Sequence, residues 1–274
     1  MRAVLLPHLD TWMRYLDLAG DTHGDGVDGS HGQEPVRVYL AGLGGAASAD
    51  FAEVATSVRL RGARSLLVDL VGTGWSDPAD FGYTIEEHAD AVAVVLDALN
   101  LRGCTVVGHS LGGGVAISLA HRRPDLVGTL VAAEPNLDPG VGYLSRHVAN
   151  QSEEAFTTRG YDALRAVIDR DDRTAGMSVF HATTGRWSKR GMYLTSVSML
   201  AERRPTLREQ LVAAPMHRAV LVGEGTQNYD LSGLREASVG IHVVPAAGHG
   251  MTYDNPAGFA HAIATAIAGS GRAD

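Results

Sequence analysis

Short apolar, β-branched runs alternate along this chain with longer stretches whose apolar positions recur at helical spacing. Residues 36–40, 65–70, 104–107, 129–133, 218–222 and 241–244 read as buried strands, and 11–19 as an early antiparallel strand. Helical stretches lie at 50–60, at 115–120 and at 256–268. Another begins at Thr84, with Glu87 completing a capping box and 91–99 carrying the apolar face. Strands that alternate with helices predict an α/β fold, with a mostly parallel central sheet covered on both faces. From 137 to 214 the strand signals disappear. Helix-like stretches at 152–168 and 192–204 are broken there by Gly176, Gly185, Gly191 and Pro205, which predicts a helical insertion at 137–214 in a core made of 1–136 and 215–274.

A length of 274 residues with 45% hydrophobic content is enough for one domain with an inserted subdomain. The formal net charge of −8 argues against nucleic acid or an anionic membrane as partner, since both need clustered Lys and Arg. The lone Cys104 excludes an internal disulfide and falls in a buried strand, as a small core residue. Val4–Leu6 is too short for a signal peptide and is followed by Pro7, and no run is long enough to span a bilayer. A cytoplasmic location is the resulting expectation. Residues 20–32, rich in Gly, Asp and His, read as a loop whose spacing matches no metal-ligand pattern.

The chemistry is concentrated at Gly108-His109-Ser110-Leu111-Gly112, a G-x-S-x-G turn between a strand and a helix. Such a turn holds its central residue in a strained conformation, exposes the serine Oγ at the rim of the sheet and aims the next helix at it. The Leu111 N–H then points to where an oxyanion would form. Ala41-Gly42-Leu43-Gly44-Gly45, another glycine-rich turn after a strand, offers a second donor at Leu43.

These segments resemble the α/β-hydrolase family along nearly the whole chain. Ala41–Gly45 is similar to the family's oxyanion loop, and Asp69–Asp77 to its D-x-x-G-x-G-x-S-D segment. Gly108–Gly112 resembles its nucleophile elbow, while Gly248-His249 with Asn255-Pro256 resembles its histidine loop and last helix. The resemblance implies an α/β-hydrolase fold in which the insertion is a helical cap. Two positions depart from the pattern. Ala41 stands where the family commonly has His, and Thr226 stands where its acid is commonly Asp.

A serine hydroxyl needs a base, and the base needs an acid that fixes its tautomer. Among 12 histidines, His249 has the glycine-flanked loop after the last strand, whereas His109 is poorly placed to turn onto the neighbouring Oγ. Glu134, where Pro135 ends the strand after the elbow helix, is the candidate acid, with Glu224 and Asp230 as competitors. The expected site is therefore Ser110, His249 and Glu134, with Leu43 and Leu111 as oxyanion donors and neither metal nor cofactor. Phe156, Tyr161, Met177, Phe180, Tyr193 and Met199 give the insertion apolar material, and Trp75, Tyr143, Trp187 and Met192 are candidate pocket residues. A hydrophobic ester or lactone is the expected substrate. C–C bond hydrolysis and thioester hydrolysis would use the same residues, and a hydrolase fold turned ligand receptor would explain Thr226 and Ala41.

Overall fold

The computed structural model describes residues 1–20, 34–140, 142–170 and 174–269. The glycine-rich loop expected at 20–32 therefore lies, from residue 21 onward, outside the described residues. The sheet has eight strands: β1 (Arg2–Leu6), β2 (Thr11–Leu18), β3 (Arg37–Leu40), β4 (Ser65–Val68), β5 (Cys104–His109), β6 (Val127–Ala133), β7 (His217–Gly223) and β8 (Gly240–Val244). Their spatial order is β1-β2-β4-β3-β5-β6-β7-β8. Pairings β1–β2 and β2–β4 are antiparallel, and the rest are parallel. Sequence reading missed β1, because its five residues alternate too weakly to stand apart without their partner β2.

The central strands are largely apolar because both their faces are covered. Val106, Leu66 and Leu130 point into one cluster with Val92 and Val115, from helices Ile85–Ala98 and Leu111–Arg122. Their neighbours Val107, Leu67 and Val131 point into another with Phe51, Phe259 and Ile263. The capping box is present, with the Thr84 hydroxyl accepting from Glu87 N–H and the Glu87 carboxylate from Thr84 N–H. Helix Pro256–Ala268 starts at its proline, behind an Asn255 cap.

Between β6 and β7 the described residues form helices and no strand, among them Tyr143–Ala149, Tyr161–Arg170, Ala175–Thr184, Lys189–Leu200 and Leu207–Ala213. Two expectations need correction here. Gly176 and Gly191 lie inside helices and do not break them. A Cβ on Gly191 would stand 2.6 Å from the Tyr83 ring, and one on Gly176 2.5 Å from Tyr253 Cβ, so both glycines allow close approach to the core. Gly185 does end its helix.

The insertion is fastened to the loops at the carboxyl ends of β3 and β4. Trp187 Nε1–H donates to Gly45 O at 2.8 Å, Thr184 Oγ1 to Gly44 O at 3.2 Å, Arg186 Nε to Gly74 O at 3.0 Å and Ser188 N–H to Gly72 O at 2.8 Å.

Candidate active site

Ser110 sits between β5 and helix Leu111–Arg122 with φ 52° and ψ −115°, a backbone region that costs a non-glycine residue roughly 1–3 kcal/mol. The neighbouring glycines make the turn possible. A Cβ on Gly108 would overlap the Gly112 carbonyl, and one on Gly112 would overlap the Leu40 carbonyl. Ser110 N–H donates to Ala133 O at 2.8 Å, which ties the turn to the end of β6.

Glu134 follows β6 directly, also left-handed at φ 41°. Its side chain is 1% exposed, and Oε1 accepts Gly223 N–H at 2.8 Å. His249 lies after β8 in a loop held by Gly248 N–H to Asp254 Oδ2 (2.9 Å) and by Gly225 N–H to Ala247 O (2.8 Å). Its Nδ1 is 2.6 Å from Glu134 Oε2, and its Nε2 is 3.1 Å from Ser110 Oγ. Burial pushes the Glu134 carboxyl up, but hydrogen bonding from His249 and Gly223 N–H, with the Thr226 hydroxyl close by, leaves it below its ordinary value. Thr226 Oγ1 is buried beside this carboxylate without making a hydrogen bond of normal geometry. An ionised Glu134 keeps the imidazole proton on Nδ1, which leaves Nε2 free to accept from the serine hydroxyl.

The competing acids are engaged elsewhere. Glu224 Oε2 accepts Ala246 N–H at 2.8 Å, while Asp230 accepts Ser232 N–H at 2.9 Å and pairs with Arg208 at 3.3 Å. Facing Ser110 is the Ala41–Gly45 turn. A Cβ on Gly42 would stand 3.3 Å from Ser110 Cβ, so the backbone that includes Leu43 passes directly over the serine. Gly42 O accepts Gly45 N–H at 3.0 Å, and the Gly44 and Gly45 carbonyls are engaged by the insertion, which fixes the peptide planes of this turn. Leu111 opens the elbow helix, where first-turn N–H groups have no acceptor within the helix.

A family model described as the alpha/beta hydrolase fold matches residues 38–170, which include Ser110 and Glu134. An esterase from Thermogutta terrifontis superposes with a TM-score of 0.79 at 17% identity, covering 98% of this chain and 99% of that one. An enol-lactonase from Burkholderia xenovorans gives 0.77 at 20%, covering 97% and 100%. The chain has the α/β-hydrolase fold. Curated relatives match over shorter stretches. A putative carbamate hydrolase of Pantoea ananatis is 40% identical over 97 residues, 34% of this chain and 34% of that protein. A 2-hydroxymuconate semialdehyde hydrolase of a Pseudomonas species is 42% identical over 69 residues, 25% and 24% respectively. The likeness thus spans about a third or less of either relative's length.

In this α/β-hydrolase fold the four candidate pocket residues have separate surroundings. Trp187 is 5% exposed and holds the Gly45 carbonyl, and Met192 is fully buried in the core that joins insertion and sheet. Tyr143 is 86% exposed, and Trp75 stacks under the Arg186 guanidinium at 4.3 Å. Phe180, in contrast, reaches the Ala41–Gly45 turn, its ring 2.7 Å from where a Cβ on Gly44 would stand. A cavity of about 510 Å³ opens at the opposite ends of the strands, beside Pro35, Gly103, Thr129 and His217, away from Ser110.

Sequence reading missed one residue of the site. His109 turns away from the Ser110 hydroxyl, and its Nε2 lies 2.7 Å from His249 O. Side chains alternate along a strand, so His109 had to leave β5 on the face opposite its neighbour, but nothing local said which loop it would meet.

Proposed function

We propose that this protein is a serine hydrolase that cleaves a carboxylic ester or lactone through an acyl-enzyme on Ser110. The observation that carries the reading is His249, hydrogen-bonded to Glu134 through one ring nitrogen and within reach of Ser110 Oγ through the other. Ser110 attacks the carbonyl as His249 Nε2 takes its proton, and Glu134 stabilises the imidazolium that forms. The Leu43 and Leu111 N–H groups receive the oxyanion. His249 then returns the proton to the leaving oxygen, and water repeats the sequence on the acyl-enzyme.

The named esterase and enol-lactonase support the ester and lactone classes. Phe180 against the oxyanion turn supports an apolar substrate. No helix among the described residues is long and apolar enough to cross a membrane, and a small molecule is the expected partner. A second reading, C–C bond hydrolysis with the same residues, draws on the matched segment of the 2-hydroxymuconate semialdehyde hydrolase.

The test is reaction with a fluorophosphonate, followed by peptide mass spectrometry. Wild type should label at Ser110, Ser110→Ala not at all, and His249→Ala roughly 10²–10⁴-fold more slowly. If Ser110 stays unlabelled and a small activated ester is also untouched, the catalytic reading fails.

A further inference from the structure

Asp50 is a buried acid that the proposed chemistry does not use. It ends the short helix Ala47–Asp50, just after the turn that carries Leu43, and is 7% exposed. Its Oδ2 packs so tightly on Gly45 that a Cβ there would collide with it, and the Ala46 N–H faces the carboxyl. Across from it stands Tyr253, on helix Met251–Asp254 directly after the His249 loop. The Tyr253 hydroxyl donates to Asp50 Oδ1 at 2.7 Å.

One hydrogen bond therefore joins the segment that offers an oxyanion donor to the segment that carries the imidazole. The inserted helix Ala175–Thr184 covers the join, with Gly176 against Tyr253 and Thr183, whose hydroxyl donates to Phe180 O at 3.1 Å, near the Tyr253 hydroxyl. We infer that the Tyr253–Asp50 pair is a positioning strut, which holds the Ala41–Gly45 turn and the His249 loop at their working separation.

The surroundings also make the strut sensitive to pH. Burial pushes the Asp50 carboxyl up, and despite the hydrogen bond from Tyr253, with Asp69 adding repulsion, it stands at about 7. Tyr253 is itself pushed up by burial and by Asp50, so it remains a donor. The groups facing Asp50 are Tyr253 from the His249 side and Asp69 from the end of β4. From the inserted helix, His181 turns away to Arg165 at 3.3 Å and Asp169 at 3.8 Å. A charge on Asp50 would sit against the Gly45 backbone with Asp69 close by. Its relief by water or by movement shifts the adjoining turn, and the Leu43 N–H with it.

The rate readout rests on the hydrolase reading, whereas the stability readout does not. Ser110 phosphonylation and thermal unfolding are to be measured from about pH 5.5 to pH 9 on wild type, Asp50→Asn, Tyr253→Phe and the double variant. The wild-type rate should fall above about pH 7. Asp50→Asn should lose that fall. Tyr253→Phe should be roughly tenfold slower throughout, with no further multiplied loss in the double variant. A fall that persists in Asp50→Asn, a wild-type rate in Tyr253→Phe, or losses that multiply would overturn the strut.

If wild type does not label at all, the hydrolase reading fails and unfolding decides the strut. A raised folded-state value gives stability that is lost as pH rises through it. Relative to Asp50→Asn, the wild-type midpoint should therefore fall as pH rises from about 5.5 to about 7 and run parallel to it above. The same pH dependence in both would overturn the strut.

Discussion

His109 and His249 lie with ring centroids 4.9 Å apart, and the Nε2–H of His109 donates to the His249 carbonyl at 2.7 Å. The residue next to Ser110 in sequence thus anchors the loop that faces Ser110 in space. Burial, reinforced by repulsion from His249, pushes His109 down to about 3, so it stays a neutral donor. His109→Ala should slow Ser110 labelling roughly 10-fold to 100-fold, since a small misplacement of a base carries a loss of that order. His109→Gln, which keeps an N–H donor, should recover part of the rate. Equal rates in all three proteins, measured by labelling time courses, would remove the anchoring role.

Glu134→Gln keeps the shape of the side chain but presents an amide to His249 Nδ1, which no longer enforces the useful tautomer. Labelling at Ser110 should fall by roughly 10³–10⁴-fold with the fold intact. Glu224→Gln alters only the hydrogen bond to Ala246 N–H and should remain near wild type. The opposite pattern would move the acid to the loop after β7.

Gly112→Ala would drive a methyl group into the Leu40 carbonyl, where only backbone can give way. Overpacking of this kind should cost about 1–3 kcal/mol or more in urea unfolding. Gly62→Ala, with no neighbour within 4 Å of the new Cβ, should change stability by no more than about 0.5 kcal/mol. Similar losses in both variants would contradict the close packing at the elbow.

Acid should unfold the protein through its buried histidines. Burial pushes His88 down to about 3, as it does His109. Below about pH 6.5 the unfolded chain binds protons at these positions and the folded chain does not. Stability is therefore full above that pH and falls progressively as pH drops toward about 3. His88→Gln should show a shallower fall in denaturant midpoint between pH 6.5 and pH 4 than wild type. An unchanged slope would show that His88 is not kept neutral.

Much of the local structure was legible because its causes are local. The Thr84–Glu87 capping box, the proline start at Pro256 and the strand-turn-helix around Ser110 each depend on residues a few positions apart. Strand β6 was recognisable from its apolar run, although its start at Val127 was not, since Gly128 interrupts the pattern. Gly176 and Gly191 were misread as breaks because the rings of Tyr253 and Tyr83, which require them, come from distant segments. Met192, named for a pocket, packs in the core, because an apolar residue in an amphipathic helix carries no mark of which surface it will meet.

The sequence by itself determined the order and type of the main elements and the turn that displays Ser110, because hydrophobic period and glycine chemistry act within a few residues. Tertiary structure alone decided which carboxylate meets His249. The parallel register that sets Ala133 opposite Leu221 carries Glu134 to the Gly223 N–H and the imidazole, whereas Glu224 turns to Ala246. It also decided the contacts of His109 with His249 and of Asp50 with Tyr253, whose partners are separated by most of the chain. Such contacts are set by how strands pair and loops pack, and a linear pattern holds no local term for either.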